Sequence, residues 1–274
     1  MERQTQKATQ KAKMMKFCDW VQTDELNNDM LCTNPEAIQH LEQNQDQIDW
    51  FYLSSNPAAI HLLERNLDKV DWCNLSSNPA AIHILESNLD KIDWPNLSQN
   101  PAAIHLLESN LDKVDWFSLS GNPGAIRLIE SNLDKVVWKR LSYNTEAIHL
   151  LDANPEKIDW SNLSANPAAF HLIKQNMDKI DWFCLSVNTS PEAIRLIDLN
   201  IRRIVKRWLS GNPSARDILL KHYIIDWDYI SSNPCIFEYD YEGMKERTSV
   251  FVEELMAAVF HPKNIDKFEH WKHE

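Results

Sequence analysis

Apolar and polar positions recur along this chain with a single period. Trp50, Trp72, Trp94, Trp116, Trp138, Trp160 and Trp182 lie 22 residues apart, and Leu31, Leu53, Leu75, Leu97, Leu119, Leu141, Leu163 and Leu185 keep the same step. The unit reads L-S-x-N-P-x-A-I-H-L-L-E-x-N-L-D-K-I-D-W-x-x, and nine copies start at those leucines and at Leu209. A tenth, from Ile230, opens with ISSNP and then departs. A fixed period of this length is the sequence form of a repeat array, in which each unit packs only on its neighbours.

Within a unit, Asn56-Pro57 predicts a helix start: Asn accepts a hydrogen bond at the N-cap and Pro suits the first helical position. Ala59, Ile60 and Leu63 then form one apolar stripe, which ends at Asn66. The second half, Leu-Asp-Lys-Ile-Asp-Trp, predicts another short helix. The unit with Asn154-Pro155 carries a second start signal there, and Asp68, Asp90, Asp112, Asp134 and Asp178 place negative charge in the first turn. The expected fold is therefore all-α: an α-solenoid of about nine helix–turn–helix repeats with helical caps. With one packed layer per unit, a rigid solenoid of nine units would run about 70–90 Å.

The competing architecture is a leucine-rich-repeat horseshoe, suggested by L-S-x-N and the period. Its interior strand position would hold Phe51, Cys73, Pro95, Phe117, Lys139, Ser161 and Phe183. Proline and lysine in that place argue for helices. Residues 1–30 read as a basic tail (1–16) and N-terminal cap, 31–234 as the tandem repeats, and 235–274 as a C-terminal helical cap. In that cap, Met244, Phe251, Leu255, Ala258 and Val259 fall at helical spacing before His261-Pro262, and Ile265, Phe268 and Trp271 follow.

Composition narrows the chemistry. Across 274 residues, 28 Lys and Arg against 40 Asp and Glu give a net charge of −12, which disfavours nucleic acid along the whole array. Only 4 glycines occur, too few for a phosphate-cradling loop. Cys18, Cys32, Cys73, Cys184 and Cys235 form no C-x-x-C pair and read as reduced thiols. The polar, basic N-terminus lacks the apolar stretch of a secretory signal, and no run is long enough to span a membrane.

The units N-P-x-A-I-x-L-L-E and K-I-D-W-x-x-L-S-x-N-P, together with ELMAAVFHPKNI at 254–265, resemble the tandem-repeat proteins of large double-stranded DNA viruses that infect amoebae and algae. The resemblance covers Leu31 to about Ile265. It implies a viral protein made in the host cytoplasm, with packaging in the virion open. No catalytic residue or cofactor is implied, because the family motif contains none.

Three sets of residues are candidates for function. One row holds His61, His83, His105, Arg127, His149, His171 and Arg195, flanked by Gln39 and Asp217. Stacked helices stand about 8–10 Å apart, too far for a shared metal without a bridging side chain. The row reads as a hydrogen-bonding ladder or as a stripe that faces a partner and responds to pH. The tryptophan row and the Asp49, Asp71, Asp93, Asp115, Asp159 and Asp181 row read as structural, and the Lys69 to Lys179 row as a solvated face. The third set marks a break: spacing grows from 22 to 24 between Leu185 and Leu209, where Arg195, Arg202, Arg203, Lys206 and Arg207 gather. Such a patch suits an acidic tail or a phosphate group.

The expected function is a non-enzymatic scaffold or adaptor that binds a host or viral protein along its repeats, without cofactor or membrane. The alternative is a structural virion or assembly component that associates with itself.

Overall fold

The computed structural model describes residues 15–245, which belong to two units: Trp20–Ile236, and Met1–Asp19 together with Phe237–Glu274. Helices dominate, as the repeat pattern predicts. The strands among the described residues are β1 (Met15–Phe17) and β2 (Phe237–Tyr239), so a horseshoe of parallel strands is set aside.

In the larger unit each module folds the same way. Taking one, an α-helix spans Trp50–Leu53, a 3-10 turn spans Pro57–Ala59, and a second α-helix spans Ile60–Arg65 before the next begins at Trp72. The Asn-Pro start holds: the Asn56 side chain accepts from the Ala58 N–H at 3.0 Å. The other start differs from expectation. In the Leu89–Lys91 module the chain makes only one 3-10 turn, extends through Ile92 (ψ 127°) and Asp93 (ψ 103°), and re-enters helix at Trp94. The second N-cap is the aspartate that precedes the tryptophan in every module of the row except that of Val137-Trp138, as where Asp93 accepts from the Asn96 N–H at 2.9 Å. Asn154 caps no helix start; its amide donates to the Leu150 carbonyl at 2.9 Å, closing the helix behind it.

Each of the first nine modules buries one Leu from its first helix, one Ala from the turn and one Leu or Ile from the second helix, and the tenth buries Ile230 and Ile236 in the first two places; Leu53, Ala59 and Leu63 are fully buried. A polar pair is buried beside them. Ser54 Oγ donates to the Trp50 carbonyl at 2.6 Å and accepts from the Asp71 N–H of the next module at 2.9 Å. Asn78 Nδ2 donates to the Ser54 and Asn56 carbonyls of the preceding module at 3.0 and 3.1 Å, while its oxygen accepts from the Ala80 N–H at 3.0 Å. Burying an amide is tolerable only when it is so satisfied. The same pair of donations repeats at each module from Asn56 to Asn233.

The ladder then meets its own start. Asn34 donates to the Ser231 and Asn233 carbonyls, both at 3.0 Å, across 197 and 199 residues. Asn27 N–H donates to Ser231 Oγ at 2.9 Å, reproducing the bond from Asp71 to Ser54. The larger unit is therefore a closed ring of ten modules, with Asn27–Cys32 completing the first. This corrects the open rod: a solenoid whose small rotation per repeat accumulates to a full turn needs no cap at either end.

The two-residue insertion near Asn188 leaves the ladder intact, since Asn212 still donates to the Ser186 and Asn188 carbonyls at 3.0 Å each. It is absorbed as a longer helix, Pro191–Leu199, capped by Ser190.

In the smaller unit, β1 and β2 pair antiparallel with Phe17 opposite Phe237, their rings stacked at 4.5 Å. Met15 and Lys16, expected in a tail, thus belong to a strand, and β2 stands at the start of the segment expected as a helical cap. The helical positions at Phe251, Leu255, Ala258 and Val259, and those at Ile265, Phe268 and Trp271, lie outside the described residues.

Candidate functional site: the solvent-facing rows of the ring

The histidine row forms bridges between modules. His61 Nε2 lies 2.8 Å from Glu42 Oε1, and His83–Glu64, His105–Glu86 and His149–Glu130 repeat this at 2.7–2.8 Å; His171 stands 3.4 Å from Asp152. Each pair joins a helix to the second helix of the preceding module. Exposure rises from 16 % at His61 to 55 % at His105 and His149, so these are mostly surface pairs of about 0–1 kcal/mol each. Among the described residues no group of three or more His, Cys, Asp or Glu is placed to hold a metal ion.

The tryptophans are half-buried rather than enclosed between modules. A lysine from the end of the same module covers each ring: Lys69 over Trp50, Lys91 over Trp72, Lys113 over Trp94, Lys135 over Trp116, Lys157 over Trp138 and Lys179 over Trp160, all at 4.3–5.0 Å. Arg203 does the same for Trp182 at 5.1 Å. The lysine row is therefore a set of cation–π lids, each worth about 0.5–1 kcal/mol at such exposure. That role was hidden in sequence because lid and ring stand 19 residues apart.

Beside the lids runs an apolar row that the periodicity did not single out. Leu67, Leu89, Leu111, Leu133 and Met177 occupy one position of the unit and are 41–53 % exposed. Phe51, Phe117 and Phe183 form a second exposed set at 48–52 %. An apolar side chain repeated at one exposed register, and flanked by acidic Asp68, Asp90, Asp112 and Asp134, marks a surface suited to contact.

The ring's chemistry changes across two successive boundaries, between the modules that start at Trp160, Trp182 and Lys206. Allowing for the insertion, Lys174 stands in the row of Glu42, Arg195 in the histidine row, and Arg202 in the row of Asp68. Val205 replaces the capping aspartate, Lys206 the tryptophan and Arg207 the phenylalanine. These cations are exposed, and among the described residues none of them forms an ion pair. The neighbouring acid Asp198 is already taken, 2.8 Å from Lys221 and 2.7 Å from His222, and those two hydrogen bonds hold its carboxyl below the usual range. Trp208 packs edge-on against Phe183 and Tyr229, and Arg207 lies over the Tyr229 ring at 4.8 Å. Arg127, also in the histidine row, sits at an ordinary boundary far from this cluster in sequence.

A hollow of about 260 Å³ is lined by Gly121, Pro123, Tyr143, Thr145, Ala165, Pro167, Val187 and Thr189, from four successive modules. It brings no acid, base or thiol together. Three thiols are poor nucleophiles at neutral pH: burial pushes Cys32 and Cys73 up, and burial with the nearby Asp181 pushes Cys184 to about 11. No described helix is long and apolar enough to cross a membrane.

Compared with known proteins, the chain matches no family model, no curated protein and no solved structure.

Proposed function

We propose that the protein is a non-enzymatic interaction scaffold that holds a host or viral protein against the solvent-facing rows of its ring. The observation that carries this reading is the exposed apolar row at Leu67, Leu89, Leu111, Leu133 and Met177. Solvent-exposed leucines at one register cost solubility and add nothing to the core, so their recurrence is accounted for by a surface that meets them. The ring supplies rigidity: each side chain is held by a module locked through buried amides to two neighbours, so little ordering entropy remains to be lost on binding. Repetition supplies multivalency, since one partner bearing a matching periodic element engages several modules at once. The resemblance to viral repeat proteins supports an origin in infected host cells.

The second reading, a virion or assembly component, draws on the same row, because identical repeats on a second ring can pack against it. Photo-crosslinking in infected cells tests both. The wild-type chain is expected to yield one near-stoichiometric partner that the triple variant Leu89→Ser, Leu111→Ser, Leu133→Ser loses. Crosslinks to the chain itself, lost in the same variant, would favour assembly. An unchanged crosslink pattern in the variant would overturn both.

A further inference from the structure

We propose that the two boundaries from Lys174 to Arg207 bind an acidic peptide segment of the partner, an inference that rests on the scaffold reading and narrows it. Two observations carry it.

The first is charge by register. At four boundaries the positions of Lys174 and Arg195 hold a Glu and a His within 2.7–2.8 Å of each other. Here both are cations, so the boundary between their modules replaces an internal pair with two like charges that repel. Arg202 and Lys206 add to that repulsion. An arrangement that costs the ring stability is relieved when anions are supplied from outside, and the exposed cations have no carboxylate of their own to satisfy them. The second is the aromatic cluster beside them. Phe183 is 48 % exposed and touches Trp208 at 5.2 Å between ring centroids, offering an apolar seat amid the cations.

Peptide rather than nucleic acid follows from the extent of the patch. It occupies two boundaries of ten on a chain of net charge −12, with the capping acids Asp181 and Asp226 beside it. A long polyanion would run onto those acids, whereas a short acidic segment with an apolar residue fits between them.

The test is fluorescence anisotropy with the full chain and a labelled Glu-rich peptide carrying one central Phe. The wild type is expected to bind it, with affinity falling as salt rises, and to ignore the Gln counterpart. Lys174→Glu, Arg202→Glu, Lys206→Glu together are expected to weaken binding about tenfold or more while the melting temperature is kept. Arg65→Glu, Lys91→Glu, Lys139→Glu, an equal charge change elsewhere, is expected to leave binding intact. Equal binding by wild type and the first variant, equal loss in both variants, or no binding by wild type overturns the proposal. Tighter binding of a single-stranded oligonucleotide overturns it too, as does wild-type self-association that the first variant abolishes. Should the site fail while partner crosslinking still depends on the leucine row, the scaffold reading stands without it.

Discussion

Asn122 donates to the Ser98 and Asn100 carbonyls at 2.9 and 3.1 Å and accepts from the Gly124 N–H at 2.9 Å. Replacing it with alanine leaves the Ser98 carbonyl and the Gly124 N–H without the Asn122 partner, and takes one of two donors from the Asn100 carbonyl, which keeps the Ala103 N–H at 3.1 Å. The expected loss is about 2–4 kcal/mol by chemical denaturation, since each orphaned group costs about 1–3 kcal/mol before relaxation. A loss below about 0.5 kcal/mol would mean that water serves those groups equally well. Sequence announced half of this residue's work. Asn before Pro signals a cap, but the reach of its amide to the preceding module depends on how modules stack, which no local pattern encodes. Trp116 teaches the converse. Its row looked like core, yet the ring is half-buried under Lys135. Trp116→Ala is accordingly expected to cost about 1–3 kcal/mol, short of the 3–5 typical of an enclosed Trp.

Among the elements, the short helix that starts each module depends on its cap. Asp115 accepts from the Ser118 N–H at 2.7 Å, whereas Val137 occupies the same place with extended backbone (φ −93°, ψ 95°) and no side-chain bond. Asp115→Ala is expected to destabilise by about 1 kcal/mol and Val137→Asp to stabilise by about 0.5–1 kcal/mol, both read as shifts in denaturation midpoint. A neutral Val137→Asp would show that the cap contributes little in this context. The aspartate's role was open in sequence because Asp-Lys-Ile-Asp-Trp offers two candidate starts, and only the extended Ile before the second aspartate decides between them. A second element-level consequence concerns Asp198. Its folded pKa lies below the ordinary 3.8, so the pair with Lys221 and His222 contributes stability above that value and loses it as pH falls through the folded pKa. Asp198→Asn is expected to flatten the acid limb of the stability curve below about pH 4. An acid limb identical to wild type would remove Asp198 from the acid response.

For the whole ring, modules and helical class were legible because seven tryptophans and eight leucines hold one phase. Closure was not. It follows from a rotation per module summed over ten of them, a quantity set by packing angles and carried by no single column. The first module also lies partly outside the consensus: Asn27 stands for the capping Asp, Cys32 for the buried Ser and Asn28 for the Trp. The basic patch was visible as a cluster of cations, but that Lys174 and Arg195 replace a Glu–His pair emerged only when the ladder of such pairs was seen.

Closure is the claim on which the account depends most, and a distance decides it. Spin labels carried by unnatural amino acids at positions 33 and 232 would report the seam, with labels at 55 and 77 reporting two ordinary neighbours. A ring gives both pairs the same short separation, of one module. An open array would hold 33 and 232 about 70–90 Å apart and contradict the structure described here.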